Sequence, residues 1–191
     1  MIRALIFDCF GVLYTGSFGA LREMCPPERW RDAEDLNKQA DYGYISRADY
    51  LIQMAEVVGV EPEALDKLLM QRHVRNTALL EYVAIARQQY KTAFLSNVSD
   101  GLINRLFTQR EMDELFDEVI ISSEEGIVKP HPGIYTLAAT ELGLHPEECI
   151  MVDDLSSNCE GAEMAGMWAV QHVRNAVTIA KIEQCIKANR A

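Results

Sequence analysis

Short apolar runs alternate with longer amphipathic stretches along the chain. Five of the runs have the near-continuous hydrophobic character of strands in a parallel sheet that is covered on both faces. These runs are residues 3–8, 92–96, 118–122, 149–153 and 168–173. Between two of them, apolar residues recur at helical spacing at Ile134, Leu137, Ala138 and Leu142, and Gly143 stands where a helix would stop. The order predicts an α/β fold with a Rossmann-like, open parallel sheet.

The interval between the first two predicted strands is far longer than a single crossover helix requires. It contains three stretches of helical character, at 27–39, 46–58 and 61–74. Ser46 and Asp49 resemble a capping box in which Asp replaces Glu. We therefore predict a small helical cap at residues 15–75, inserted after the first strand, and an α/β core made of residues 1–14 and 76–191.

The composition narrows the classes of partner. The 191 residues include 18 Lys and Arg against 29 Asp and Glu, which gives a formal net charge of −11. Nucleic acids and anionic membranes need a basic surface, so neither is an expected partner, whereas a small anionic substrate needs only a local cluster of donors. No apolar run approaches the roughly 18 residues of a membrane-spanning helix. The first residues do not read as a signal peptide, and the five cysteines form no CxxC pair. We expect a cytoplasmic protein, monomeric or homodimeric.

Polar residues collect at the ends of four predicted strands, which is where ligands bind in open α/β sheets. These residues are Asp8, Ser96, Asn97, Lys129, Asp153 and Asp154. Three carboxylates repel one another unless a cation lies among them, and oxygen ligands favour Mg²⁺. The Lys129 ammonium and the Ser96 hydroxyl are suited to holding phosphoryl oxygens. Asp8 is suited to nucleophilic attack on phosphorus, since a carboxylate is already ionised at neutral pH.

The same segments carry a resemblance to a known family. Residues 7–13, 95–97, 128–130 and 152–154 resemble the four ordered motifs of the haloacid dehalogenase superfamily. The resemblance spans about residues 2–173, and the insertion is similar to the small helical cap of that superfamily. It implies a Mg²⁺-dependent hydrolase of small phosphorylated metabolites, including sugar phosphates, that acts through an aspartyl-phosphate intermediate.

The resemblance also implies roles for individual residues. Asp8 would be the nucleophile, and Lys129 would neutralise the charge of Asp8 and of the phosphate. Ser96 and Asn97 would hold the transferring phosphoryl group, and Asn158 would support the site. The implied metal ligands are Asp8, the backbone carbonyl of Phe10, Asp153 (directly or through water) and Asp154.

Phe10 departs from the phosphatase pattern. Most phosphatases of this superfamily carry a second Asp there, which serves as general acid and base, and Phe10 cannot transfer a proton. An aromatic residue at this position is reminiscent of the metal-independent 2-haloacid dehalogenases, which carry a Ser-Ser-Asn type sequence directly after the fourth strand. In this chain Asp153 and Asp154 stand at that point, and the sequence 156–158 comes three residues later. Two adjacent carboxylates favour the phosphatase interpretation. A 2-haloacid dehalogenase and a catalytically weak protein that binds a phosphorylated ligand or a partner remain the alternatives.

A basic spot lies near the end of the predicted cap, at Arg72, His73 and Arg75. It is either a solvated helix end, or one of the three reaches the substrate. A side chain from the cap, such as His73, would then be able to supply the proton that Phe10 cannot.

Overall fold

The fold is described for residues 1–189 by a computed structural model, so the last two residues of the predicted core lie outside the described residues. The strands found there are β1 (Ala4–Phe7), β2 (Tyr14–Thr15), β3 (Val74–Arg75), β4 (Lys91–Ser96), β5 (Glu118–Ile121), β6 (Cys149–Asp153) and β7 (Trp168–Gln171). The helices are α1 (Ser17–Met24), α2 (Trp30–Asp41), α3 (Arg47–Val58), α4 (Pro62–Arg72), α5 (Thr77–Ala86), α6 (Ile103–Leu106), α7 (Gln109–Leu115), α8 (Ser122–Glu125), α9 (Pro132–Glu141), α10 (Ser156–Met164) and α11 (Asn175–Ala188).

Five strands form one parallel sheet in the order β5-β4-β1-β6-β7. This confirms the predicted α/β fold with its open parallel sheet. The central strand β1 pairs on both sides, so that Phe7 lies between Phe94 and Val152 in register. The carboxyl ends of β1, β4 and β6 therefore meet at one edge of the sheet, where open α/β sheets bind their ligands.

Alternate residues of β1 enter two different hydrophobic cores. Leu5 and Phe7 pack into a cluster that includes Leu79 of α5 and Ile182 of α11. The two residues that alternate with them face the opposite cluster, which includes Ile134 of α9. Burying one large apolar side chain contributes roughly 1.5–3 kcal/mol, so both faces of the sheet need such covering helices. This is why the strands read as continuous apolar runs.

Helices α1 to α4 lie between β2 and β3 and share a third hydrophobic cluster, with Leu36, Met54 and Leu65 among its buried members. The N-terminal capping predicted for α3 is found in part: the Ser46 hydroxyl accepts a hydrogen bond of 3.1 Å from the Asp49 amide, but the Asp49 carboxylate accepts from the Ser46 hydroxyl at 2.6 Å. The sequence analysis did not anticipate α1. The division into a core of 1–14 and 76–191 and a cap of 15–75 stays a prediction.

The predicted helix at 61–74 was wrong at its end. Helix α4 stops at Arg72, because Val74 and Arg75 pair instead with Thr15 and Tyr14 in an antiparallel ribbon. That ribbon joins the start and the end of the helical segment α1–α4.

Among residues 1–189, no helix combines the length and the hydrophobicity that crossing a membrane requires.

Candidate active site

The Lys129 ammonium is held between two carboxylates at the carboxyl edge of the sheet. Its Nζ lies 2.8 Å from Asp8 Oδ1 and 2.6 Å from Asp153 Oδ2, and it donates to the Leu95 carbonyl at 3.2 Å. All three charged side chains are buried. An ammonium has three N–H donors, so each of them has an acceptor within the protein.

The negative charge of this cluster exceeds its positive charge. Asp8, Asp153 and Asp154 each place a carboxylate oxygen within 4.8 Å of the other two. Burial raises the pKa of Asp8, with Lys129 opposing the shift and Asp153 adding to it. Burial, followed by the charge of Asp153, also raises the pKa of Asp154. Burial lowers the pKa of Lys129, but Asp8 and Asp153 outweigh that effect and raise it. All three pKa values are raised, which means that the cluster favours the uptake of positive charge.

Asp153 and Asp154 are adjacent in sequence but differ in their surroundings. Asp153 is fully buried, and its Oδ1 accepts hydrogen bonds of 3.0 Å from the Leu155 amide and from Asn158 Nδ2. With Oδ2 on Lys129, both of its oxygens are engaged. The Asp154 carboxylate lines a cavity and takes no hydrogen bond from any other residue in the described part of the chain. Hard oxygen donors of this kind suit Mg²⁺, with Asp8 and Asp154 facing the cavity and Asp153 behind them.

Asn97 fixes the backbone of the loop that carries Lys129. Its Nδ2 donates to the Lys129 carbonyl at 2.9 Å, and its Oδ1 accepts from the Lys129 amide at 2.8 Å. The side-chain amide is thus engaged with the protein, although Asn97 also lines the cavity. Ser96, one residue earlier, is completely buried, and its hydroxyl has no hydrogen-bond partner among residues 1–189. Unlike Asn97, the predicted site residue Ser96 is not among the residues that line the cavity.

The turn after β1 brings Phe10 and Gly11 to the cavity. The Phe10 ring lies 5.4 Å from the His73 imidazole, centre to centre. Gly11 has a φ of +88°, and a Cβ there would overlap the carboxylate of Asp154. The sequence analysis did not single out Gly11, although a glycine three residues after a strand-end acid is the signal that would have found it.

The cavity has a volume of about 560 Å³, the size of a small-molecule site. One wall carries the predicted residues Asp8, Phe10, Asn97, Lys129, Asp154 and Asn158. Residues of the helical segment and of the turn after it form the opposite wall. Its polar members are Asn37, Asp41, Arg47, Tyr50 and His73. The cavity thus joins the edge of the sheet to helices α2 and α3.

Of the three residues in the predicted basic spot, one lines the cavity and two lie elsewhere. His73 lines the cavity, whereas Arg72 is exposed at the end of α4. Arg75 donates to Glu111 at 2.8 Å and to the Tyr14 hydroxyl at 3.1 Å. Arg75 therefore ties the ribbon to α7 and leaves His73 as the residue of the three that can meet a bound molecule.

Two charged cavity residues were missed by the sequence analysis. Asp41 is the last residue of α2, one turn after Asn37, beside the buried face of that helix. Arg47 begins α3 and pairs with Asp66 at 2.6 Å, while its Nε is buried and without a partner in the described chain. The available signal was the helical spacing of polar residues beside an apolar face. That spacing does not reveal which part of the protein the polar residues contact.

Comparison with known proteins places this site in context. The sequence profile of haloacid dehalogenase-like hydrolases matches residues 2–166. A glyceraldehyde 3-phosphate phosphatase of Methanopyrus kandleri is 27% identical over 90% of this chain and 84% of its own length. An (S)-2-haloacid dehalogenase of Xanthobacter autotrophicus is 26% identical over 87% of this chain and 73% of its own length.

Solved structures agree with the fold. An enzyme of the haloacid dehalogenase family from Bacteroides thetaiotaomicron, solved in complex with magnesium and inorganic phosphate, superimposes with a TM-score of 0.74. It is 22% identical, and the comparison covers 91% of this chain and 95% of that one. The L-2-haloacid dehalogenase of Xanthobacter autotrophicus superimposes with a TM-score of 0.65 at 20% identity, over 92% of this chain and 79% of its own.

Proposed function

The chain belongs to the haloacid dehalogenase-like hydrolase family, and from that premise we propose that it is a Mg²⁺-dependent phosphatase of small phosphorylated metabolites. The observation that carries the proposal is the excess of negative charge at the cluster. Three carboxylates lie within 4.8 Å of one another, and in the described chain one ammonium, that of Lys129, is bonded to two of them, Asp8 and Asp153. A carbon–halogen substrate gives no reason for that excess, whereas a divalent cation and a phosphoryl group do.

The residues present fit Mg²⁺. Asp8, the Phe10 carbonyl and Asp154 would hold the ion from the cavity side, and Asp153 would act through a water molecule, since both of its oxygens are engaged. When bound, Mg²⁺ would supply positive charge that stabilises the phosphoryl oxygens.

Asp8 performs the covalent step in this proposal. Its carboxylate attacks phosphorus in line with the departing oxygen and forms an aspartyl phosphate, which water then hydrolyses. Lys129 holds the Asp8 carboxylate and acts on the phosphoryl group through its charge, since its three donors already have acceptors. Ser96 stays a proposed donor to a phosphoryl oxygen on the strength of its unpartnered hydroxyl, and Asn97 keeps the Lys129 loop in place.

The cavity and the relatives support this class of substrate. A volume of about 560 Å³ suits a short phosphorylated metabolite. The Methanopyrus kandleri relative is named for glyceraldehyde 3-phosphate, which makes that triose phosphate the first compound to test here. Helices α1–α4 form the cap of this proposal, and they exclude water and select the part of the substrate that leaves.

A 2-haloacid dehalogenase is the second candidate. Phe10 favours it, as do the dehalogenase relatives, one of which is 26% identical over 87% of this chain. In that reaction Asp8 would displace halide from carbon, without a metal. A catalytically weak protein that binds a phosphorylated ligand is the third candidate, and Phe10 is its main support.

Two assays run on one preparation separate the three candidates. Hydrolysis of 4-nitrophenyl phosphate is measured with and without Mg²⁺, beside halide release from 2-chloropropionate. We expect phosphate release that requires Mg²⁺ and that is lost in Asp8→Asn but kept in the exposed-site control Asp100→Asn. Metal-independent halide release would establish the dehalogenase. No turnover in either assay, with phosphate still bound, would establish the binding protein.

A further inference from the structure

A phosphatase with Phe10 at this position lacks the usual source of a proton. The oxygen that leaves phosphorus as an alkoxide must gain a proton, and a positioned acid contributes typically about 10²–10⁴-fold to such a step. Phe10 has no proton to give, and the Lys129 donors are already shared among Asp8, Asp153 and Leu95. The titratable groups on the opposite wall of the cavity are therefore the ones to consider.

Asp41 on that wall is half-buried, and its carboxylate has no partner among the described residues. Its side chain lines the same cavity as Asp8, and no donor among the described side chains forms a hydrogen bond or an ion pair with it. Its charge is coupled to that of Lys129, whose ammonium lies 2.8 Å from Asp8. Asp41 thus shares one cavity with Asp8 and lies close enough to Lys129 to feel its charge.

The backbone around Asp41 is fastened to the core independently of its side chain. Ser122 Oγ donates to the Asp41 carbonyl at 2.6 Å and accepts from the Val98 amide at 3.0 Å. Two residues on, Gly43 lies so close to the Ser123 carbonyl that a Cβ would overlap it. The carboxylate is therefore presented from a fixed point and remains free to meet a ligand.

The titratable groups His73 and Tyr50 on this wall are less suited than Asp41 to transfer a proton. Burial lowers the pKa of His73, and Arg47 and Arg105 add to the shift, which disfavours the protonated imidazolium that could donate a proton. The Tyr50 hydroxyl donates to Asn37 at 2.8 Å, and burial raises its pKa. Burial raises the pKa of Asp41 to about 7, with Lys129 opposing. An acid whose pKa lies near the working pH can both give and take a proton.

We propose that Asp41 is the general acid and base of this enzyme, acting from the helical segment in place of the carboxylate that Phe10 replaces. The proposal rests on the proposed phosphatase function. In the first step an Asp8 oxygen bonds to phosphorus, the bond from phosphorus to the ester oxygen breaks, and that oxygen takes the proton of the Asp41 carboxylic acid. The alcohol leaves, and Asp41 is left as a carboxylate.

In the second step the Asp41 carboxylate accepts a proton from water as the water oxygen bonds to phosphorus. The bond between phosphorus and Asp8 breaks, inorganic phosphate leaves, and both carboxyl groups return to their starting states. No oxidant or further reactant is needed, since ester and water give alcohol and phosphate.

The test compares Asp41→Asn with the wild type across a series of leaving groups. Asparagine keeps the size and the backbone contacts but carries no transferable acid proton. Asp35→Asn on the same helix is the matched control, since its side chain is 71% exposed. We expect kcat/KM, which reports on phosphoryl transfer to Asp8 and not on the later hydrolysis, to fall by about 10²–10⁴-fold in Asp41→Asn for an alkyl ester such as glycerol 3-phosphate. The loss on 4-nitrophenyl phosphate, whose leaving group needs little protonation, is expected to be much smaller. Asp35→Asn matches the wild type on both substrates.

The possible outcomes assign failure to one proposal or the other. Equal losses of kcat/KM on both esters, or a rise in KM with kcat unchanged, would overturn the acid–base role, because a substrate-binding or structural role has that effect. Unchanged activity in Asp41→Asn would overturn it as well, and a selective alkyl loss in His73→Gln would transfer the role to His73. If the wild type cleaves neither ester, the phosphatase function itself is wrong. Should Asp41→Asn fail to fold, Asp41→Ser takes its place in the same comparison.

Discussion

The carboxylate of Asp154 occupies the space that a side chain at Gly11 would need. Gly11 has a φ of +88°, and a Cβ there would overlap the Asp154 carboxyl group. The turn after β1 can lie this close to the end of β6 because Gly11 has no side chain. A glycine of this kind is a requirement of the site as well as of the turn.

Gly11→Ala is expected to abolish Mg²⁺-dependent turnover, because the new methyl group displaces Asp154 or the turn that carries Phe10. Gly59→Ala is the matched control. Gly59 also has a positive φ, of +74°, but a Cβ there meets nothing within 4 Å. The control isolates the backbone strain, about 1–2 kcal/mol. Activity and melting temperature are measured for both, with and without Mg²⁺. Equal behaviour of the two variants would show that the overlap with Asp154 has no functional consequence.

Asp8→Asn is expected to abolish turnover and leave the fold intact, since an amide is nearly isosteric with the carboxylate but a poor nucleophile. Without metal, its melting temperature should equal or exceed that of the wild type, because one carboxylate fewer lies beside Asp153 and Asp154. Circular dichroism, thermal melts and phosphate release are the measurements, with mass spectrometry to exclude deamidation. Substantial phosphate release by a verified Asp8→Asn preparation would contradict the covalent mechanism.

Mg²⁺ is expected to raise the melting temperature of the wild type in a concentration-dependent manner, since a ligand that binds only the native state stabilises it by mass action. Asp154→Asn should remove this response, because the Asp154 carboxylate lines the cavity beside Asp8 and takes no hydrogen bond from another described residue. Glu163→Gln, an exposed change on α10, is the control. A melting temperature that ignores Mg²⁺ in the wild type would favour the dehalogenase.

The part of the site that could be predicted from the sequence is the part that strand ends determine. Asp8 and Asp153 each terminate or follow a buried apolar run, so the parallel sheet brings them together. Their predicted chemical roles stay predictions, but their proximity, and that of Lys129, is a finding.

The part that could not be predicted depends on how the helical segment packs over the sheet. Asp41 and Arg47 reach the cavity because α2 and α3 lie against the core, and no local pattern in either helix encodes that contact. The same reason explains the error at Val74, whose pairing with Thr15 joins residues 59 positions apart in sequence. Local propensity does not record such long-range partners.

Lys129→Met is expected to destabilise the protein by about 3–5 kcal/mol, because it leaves the buried carboxylates of Asp8 and Asp153 without their cation. Lys181→Met, on the exposed face of α11, is the control. Chemical denaturation of both variants gives the difference, and the double variant Lys129→Met with Asp8→Asn should recover part of the loss. A loss no larger than that of Lys181→Met would mean that the pairing contributes little to stability.

Asp41→Asn should change how stability depends on pH. Burial raises the pKa of Asp41 to about 7 in the native state, whereas an unfolded Asp has a pKa of about 3.9. Between these values the native protein keeps a proton that the unfolded chain has lost, so this group's contribution to stability declines as pH rises and levels off above the native pKa. Asparagine has no such proton, and the variant escapes the decline.

The melting temperature of Asp41→Asn should therefore rise relative to the wild type as pH increases from about 5 to about 8. Each kcal/mol of difference corresponds to about 2–4 °C in a chain of this size. Asp35→Asn, with its exposed side chain, should follow the wild type at both pH values. The melts are run in chelator, so that metal binding does not enter the comparison. A difference between Asp41→Asn and the wild type that stays constant across this range would show that the Asp41 carboxylate titrates as an exposed group does. A carboxyl group that titrates in this way has already lost the proton that the acid–base role requires.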